Sequence, residues 1–221
     1  MAIKAAGLGP ARRPAARRIA SRAIVVDTAL RLFTENGYLA VRVEDIATAS
    51  GISRATFYKY FSEREEILAE LFERLLGPDT EPATADAAAG RTVEEQVTVA
   101  IEDAARQMLR QERLARFVYS LPVRHSSLLR PGARTTPPVM GRVSALLEQG
   151  QASGQISRDV PLDLLTRHVS AALEAAMRDW AEGHADDAIA HLRILLGLAF
   201  HGMASRVPAV SSASDDGDQG E

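Results

Sequence analysis

The chain has 221 residues, of which 46% are hydrophobic and 25% charged, as in an ordinary globular protein with a sizeable core. It contains no cysteine, which excludes disulfides and cysteine-ligated metal sites, and no apolar run is long enough to cross a bilayer. The charged N-terminus is not followed by the apolar stretch of a secretory signal, so we expect a cytoplasmic protein.

The net charge of −3 is unevenly distributed along the chain. Residues 1–65 hold 11 Lys or Arg against 6 Asp or Glu, whereas residues 66–221 hold 15 against 23. A basic end on an acidic chain is typical of a protein that binds a polyanion through one domain only.

Apolar residues recur at spacings of three and four throughout, which predicts an all-α protein of about nine helices. Residues 1–20 are rich in Ala, Pro, Gly and Arg and are predicted to form a disordered basic arm. This arm either contacts flanking phosphates or the minor groove, or is a charged tail that keeps the protein in solution. Short helices are predicted after it at 21–36, 43–50, 53–60 and from a capping box at 62–65 onward.

The aromatic residues of the third predicted helix lie on two different faces of that helix. At 100° per residue, Phe57 and Phe61 share one face and are predicted to be core. The opposite face carries a small residue, a cation, a phenol and a hydroxyl, and an arginine stands at its amino end. Such a surface suits a helix lying in the major groove of DNA, and Gly51 supplies the turn of a helix-turn-helix. The residues of this surface are Arg54, Ala55, Thr56, Tyr58 and Lys59.

The longer string "ALRLFTENGY…VEDIATASGISRATFYKYFSEREEIL" resembles the DNA-binding domain of the tetracycline-repressor (TetR) family over residues 22–70. The resemblance implies a head of three helices at 21–66, which helix four joins to a ligand-binding and dimerisation body at 67–206. An acidic tail at 207–221 is predicted to be disordered. Ser53 is predicted to cap the third helix and to belong to the DNA-binding surface. The resemblance places Tyr60 and Arg64 at phosphate-contacting positions. Arg42 replaces a capping threonine and is predicted to contact phosphate directly.

The rest of the chain has no comparable motif, so its sites follow from the resemblance and from apolar surface alone. A cavity for a small apolar or amphipathic effector is predicted among Met108, Phe117, Tyr119, Met140, Val143 and Trp180, the alternative for each being plain core. A homodimer interface is predicted at Leu165, Ala172, Ala176, Leu192, Leu196, Ala199, Phe200 and Met203, the alternative being packing within one chain.

We expect neither a metal nor a cofactor. The histidines at 125, 168, 184, 191 and 201 lack the i, i+4 pairing of helical metal sites, and no nucleophile has an obvious base, so catalysis is not expected. The leading hypothesis is a repressor that binds a pseudo-palindromic operator as a homodimer and is released by a small molecule. The alternatives are a transcriptional activator and a ligand-sequestering protein with a vestigial DNA-binding head.

Overall fold

The computed structural model describes residues 12–77, 90–121 and 138–202, with side chains from Arg22 onward. These residues form nine helices and no strand, which confirms the all-α prediction. The predicted tail at 207–221 and residues 1–11 of the predicted arm lie outside the described residues. The helices are α1 (Arg12–Asn36), α2 (Val43–Ala49), α3 (Arg54–Tyr60), α4 (Glu65–Leu76), α5 (Val93–Leu109), α6 (Glu112–Ser120), α7 (Val139–Ser153), α8 (Leu162–Glu182) and α9 (Ala188–His201).

Two predicted helix starts need correction. Helix α1 begins at Arg12 rather than at Ser21, so residues 12–20 are helical and do not belong to a disordered arm. Alanine and arginine, which dominate this stretch, are good helix formers, and a proline is tolerated in the first turn of a helix. Helix α4 begins at Glu65 with Arg64 at its N-cap and no side-chain cap, so the predicted capping box from Ser62 does not start it.

The first three helices pack around a small apolar core. Phe33 of α1, Ile46 of α2 and Phe57 of α3 are fully buried, and Phe61 joins them directly after α3. Helix α4 contributes a further buried row, which includes Ile67. Helix α4 packs against both α1 and α6, so it links this core to the helices that follow.

The later helices α5–α9 form a second packed group. Helices α8 and α9 lie along each other, α8 also packs against α6 and α7, and α5 packs against α7 and α9. Helix α6 is the shortest of the five and touches α1 and α4 as well as α5 and α8. It is therefore a second direct connection between the first helices and the rest of the chain.

One buried carboxylate links α5 to α9. Solvent reaches only 6% of Glu102, and the Arg193 and Arg106 guanidiniums both donate hydrogen bonds to it. The bond from Arg193 Nη2 to Glu102 Oε2 is 3.0 Å long. Hydrogen bonds from Arg193, and secondarily from Arg106, lower the pKa of Glu102 even though burial opposes the charged form.

The Glu102→Gln substitution is expected to lower the free energy of unfolding by about 1–3 kcal/mol near neutral pH, since it removes charge-assisted hydrogen bonds at a buried site. A carboxylate whose pKa is lowered by folding stabilises the native state above its unfolded pKa of about 4.3, and this contribution disappears as the pH falls through the folded pKa. Urea denaturation at fixed protein concentration should show the difference from wild type at pH 7 shrinking below about pH 4.

The matched control is Glu174→Gln. Glu174 is an exposed glutamate that pairs with Arg178 one helical turn away, and such a pair contributes little. An equal loss of stability in both variants, or a Glu102→Gln effect independent of pH, would contradict the assigned role of Glu102.

Candidate nucleic-acid interface

Helices α2 and α3 are joined by a tight helix-turn-helix connection. Gly51 adopts a φ of 67°, a left-handed conformation that suits glycine. The Ile52 N–H then donates to the Ala47 carbonyl at 3.0 Å, and Ala47 itself is buried where the two helices meet. The small side chain of Ala47 allows the close approach of the helices that this turn requires.

Helix α3 has one buried face and one exposed face. Phe57 and Phe61 are buried, with ring centroids 5.5 Å apart, which confirms that they anchor the helix in the core. Tyr58 is 48% exposed, and Ala55 and Lys59 are also exposed. The exposed face thus combines a phenol, an ammonium group and a small residue that lets another molecule approach the backbone.

The first turn of α3 is fixed by its own hydroxyl groups. Ser53 Oγ accepts a hydrogen bond from the Thr56 N–H at 3.1 Å, and the two hydroxyl oxygens are 2.9 Å apart. This is the predicted N-cap. These bonds within the turn orient the start of α3.

Two arginines flank the exposed face. Arg54 forms an ion pair with Glu44 of α2 at 3.0 Å, and both side chains are largely exposed. Such a pair is weak in water and leaves the Arg54 guanidinium available to a phosphate. Arg42 occupies the N-cap of α2 and is exposed. Its side chain caps nothing, but its backbone N–H donates to the Asp45 carboxylate at 2.8 Å.

Arg64 is held inside the head. Its guanidinium donates to the carbonyl of Tyr38 at 3.1 Å and to that of Val41, and it lies 4.2 Å from the centroid of the Tyr38 ring. The Tyr38 hydroxyl in turn donates to Glu65, and burial raises the pKa of Tyr38 to about 12. With only 20% of its side chain exposed, Arg64 ties the start of α4 to the α1–α2 turn.

Two further residues, one aromatic and one basic, also contact other parts of the head. Tyr60 is partly buried and packs against the core. Arg22 pairs with Glu70 of α4 at 2.8 Å and stacks 4.7 Å from the Phe61 ring centroid. These contacts were missed from sequence, because each joins residues far apart in the chain.

Of the six residues predicted to line an effector cavity, all but Tyr119 are buried. Met108, Met140 and Val143 are buried, and the Tyr119 hydroxyl donates to the Met108 sulfur at 3.3 Å. Burial also raises the pKa of Tyr119. The remaining two meet other partners: Phe117 stacks on Phe33 with centroids 5.7 Å apart, and the Trp180 ring lies under the Arg116 guanidinium.

Half of the eight residues of the predicted dimer interface are covered by their own chain. Those buried within the monomer are Ala172, Ala176, Leu192 and Leu196. Leu165, Ala199 and Phe200 are partly exposed, and Met203 lies outside the described residues. Intrachain packing, the alternative interpretation, therefore describes the four buried residues.

A different face of α9 is open and apolar. Ile194 is 61% exposed and Leu198, one turn later, 42%. A Cβ placed on Gly197 between them would meet no heavy atom within 4 Å. Sequence periodicity predicts the helix but not which of its apolar faces the same chain covers.

Neither a metal site nor a membrane span is found in the described ranges. No group of three or more His, Cys, Asp or Glu there has the geometry to hold a metal ion. Two of the described histidines pair with single carboxylates: His191 with Asp179 at 2.8 Å and His201 with Glu94 at 2.8 Å. None of the described helices combines the length and apolar character that a membrane crossing requires.

Comparison with known proteins agrees with this geometry. Residues 25–71, which contain the helix-turn-helix, match the family model described as bacterial regulatory proteins of the tetR family. The fatty acid metabolism regulator protein of Bacillus subtilis is 26% identical over 158 residues, which are 71% of this chain and 81% of that protein. The BetI regulator of Rhizobium meliloti is 35% identical over 95 residues, or 43% of this chain and 42% of that protein.

The fold is also similar to solved structures. The B. subtilis transcriptional regulator FadR, crystallised with stearoyl-CoA, superposes with a TM-score of 0.62 at 21% identity, over 82% of this chain and 99% of FadR. BetI and FadR are transcriptional regulators.

Proposed function

We propose that this chain, which belongs to the TetR family of bacterial regulators, represses transcription as a homodimer that a small effector releases from its operator. The observation that carries the proposal is the division of α3: Phe57 and Phe61 are buried, while Tyr58 and Lys59 stand exposed on the other side. An exposed cation and phenol on a helix anchored in this way are suited to the major groove.

The proposed contacts divide into two kinds. Lys59, Arg54 and Arg42 supply charge to phosphates or guanine edges, and Tyr58 contacts phosphate or a thymine methyl. The inward contacts of Tyr60 and Arg64 favour an indirect role, in which they hold α3 and α4 in place. The proposal assigns DNA binding to a head at residues 21–66 and effector binding and dimerisation to a body at 67–206. It also includes a cytoplasmic location and a role without catalysis.

The second half-site requires a second copy of the chain. One helix-turn-helix contacts one half-site. A two-fold dimer places the second helix-turn-helix at a distance of one helical turn, about 34–36 Å along the DNA. The apolar face of α9 formed by Ile194 and Leu198 is the proposed contact between the two copies, because Gly197 lets the helices approach closely. Leu165, Ala199 and Phe200 remain candidates at its edge.

Acyl-CoA thioesters are the first effector class to test. The fatty acid metabolism regulator protein of Bacillus subtilis aligns with 71% of this chain, and FadR was crystallised with stearoyl-CoA. The apolar side chains around Met108, Met140 and Val143 would surround an acyl chain if the body opens to admit it. Release of the DNA then requires only a difference in effector affinity. The effector must bind a conformation in which the two heads are wrongly spaced for the operator more tightly than it binds the DNA-bound conformation.

Fluorescence anisotropy tests this proposal directly. In vitro selection from random duplexes at physiological salt is expected to enrich a pseudo-palindromic site, and stearoyl-CoA is expected to weaken binding to that site. An enriched site with no response to stearoyl-CoA would reject this effector class but retain the regulator. If the selection enriches no site, the proposed regulator is refuted and the ligand-sequestering alternative is favoured. A reporter gene downstream of the site separates a repressor from an activator.

A further inference from the structure

An open groove lies at the junction between the head and the body. It has a volume of about 540 Å³, within the range of small-molecule sites. One wall comes from the end of α1 and the α1–α2 turn, and the other from α6 and the end of α8. Any molecule bound there would touch the DNA-binding head and the body at the same time.

The walls of this groove are aromatic and apolar. Phe33 and Phe117 stack across the junction with an interplanar angle of 16°, and the Tyr38 ring meets Phe33 edge-on at 5.0 Å. Leu39 also lines the groove and is 67% exposed, so its side chain is accessible to a ligand. A flat apolar molecule would cover Leu39 and contact the rings beside it.

One cation lies in the lining of the groove. Arg116 donates from Nε to Glu112 at 3.0 Å and from Nη1 to the Trp180 carbonyl at 3.2 Å, while its plane rests 4.1 Å from the Trp180 ring centroid. These contacts fix the orientation of the guanidinium. A guanidinium has five N–H donors, and the two hydrogen bonds described for Arg116 leave donors for a ligand. The Ser120 hydroxyl lies on the same wall.

We propose that this junction groove is a second effector site, which binds a small aromatic carboxylate with its ring against Leu39 and Phe117 and its carboxylate on Arg116. The ligand class follows from the combination of an aromatic wall with an oriented guanidinium, which favours a planar carboxylate over a neutral molecule. The regulatory part of this inference rests on the proposed repressor function. The binding part does not, since it requires no DNA.

Occupation of the groove is expected to change operator affinity. The ligand contacts both walls, so its affinity depends on the position of the head relative to α6 and α8. By linkage, a ligand with different affinities for two head positions shifts the balance between them, and site-to-site couplings are typically about 5–150-fold. This site is separate from the body interior around Met140 and Val143, neither of which lines the groove.

The binding test uses 2-naphthoate as the probe and 2-naphthylmethanol as its neutral counterpart, with the full chain and no DNA. Isothermal titration is expected to show saturable naphthoate binding in or below the millimolar range. Ser120→Trp, which fills the groove, should weaken both probes at least about tenfold. Arg116→Gln should weaken naphthoate about tenfold or more and leave the neutral probe nearly unchanged, because it removes a charge-assisted hydrogen bond.

Two matched controls distinguish the groove from other apolar surface. Ser153→Trp changes another exposed serine whose hydroxyl also donates to the carbonyl three residues earlier, as that of Ser120 does. Arg167→Gln changes another exposed arginine paired with a carboxylate one turn away. Both should bind naphthoate like the wild type. Absence of saturable binding at millimolar naphthoate, or binding that Ser120→Trp does not weaken, overturns the site.

A second titration tests the regulatory part on the selected operator duplex. Saturating naphthoate is expected to change operator affinity at least several-fold in the wild type and not in Ser120→Trp. An unchanged affinity while naphthoate is bound would overturn the coupling. A chain that binds naphthoate but selects no operator would refute the proposed repressor and leave the groove assignment standing.

Discussion

Replacement of Tyr58 and Lys59 by alanine is expected to abolish sequence-selective binding to operator DNA without unfolding the head. Both side chains are exposed on α3, so their removal leaves Phe57 and Phe61 in the core. Each lost base or phosphate contact is expected to cost about 1–3 kcal/mol, which together weakens binding on the order of a hundredfold or more. Anisotropy titrations on the selected operator measure this loss, and thermal unfolding checks the fold.

The single substitutions show what each residue contributes. If Lys59 contacts a phosphate, Lys59→Ala should reduce the slope of log affinity against log salt by about one. The matched control is Arg31→Ala, which removes an exposed arginine of α1 that pairs with Glu35. Operator binding by the double variant at wild-type affinity, or an equal loss in Arg31→Ala, would refute the assignment of α3 as the helix in the groove.

Substitution of Ile194 and Leu198 by aspartate is expected to convert the proposed homodimer to a monomer and to remove tight operator binding. The two residues lie one turn apart on the open face of α9, so a two-fold contact would bring four new carboxylates into an apolar interface. A single head then binds one half-site. Sedimentation velocity measures the association, and anisotropy measures the accompanying loss of operator affinity.

The control for this experiment is Ile24→Asp, an equally drastic change at an exposed isoleucine of α1. It should leave the oligomeric state unchanged. A dimer that survives the α9 double substitution would move the interface elsewhere, and the partly exposed residues Leu165, Ala199 and Phe200 would be tested next. A chain that is already monomeric would contradict the proposed two-fold assembly.

The head was predictable from sequence because its signals are local. The turn glycine, the Ser53 cap and the angular separation of Phe57 from Tyr58 are each set within a few residues, and the structure has all three. The start of α1 was not predicted, because low-complexity Ala and Arg sequence carries no amphipathic pattern to distinguish a helix from an arm.

The other features that were not predicted from sequence depend on contacts between residues far apart in the chain. Arg64 bonds to carbonyls 26 and 23 residues away, and Arg193 bonds to Glu102 across 91 residues. No local pattern encodes such partners. The same limit applies to the small residues of α8: Ala172 and Ala176 permit close helix packing, but the spacing is identical whether the neighbouring helix comes from the same chain or from a second copy.

The most direct test of the central claim is hydroxyl-radical footprinting of the full chain on its selected duplex. If two copies each place α3 in a major groove, the footprint should show two protected regions, related by two-fold symmetry and centred about one helical turn, or 10–10.5 base pairs, apart. Substitution of Tyr58 and Lys59 by alanine should erase both regions together. Protection of a single region, or protection that persists in that variant, would contradict the claim that α3 of each subunit binds the DNA.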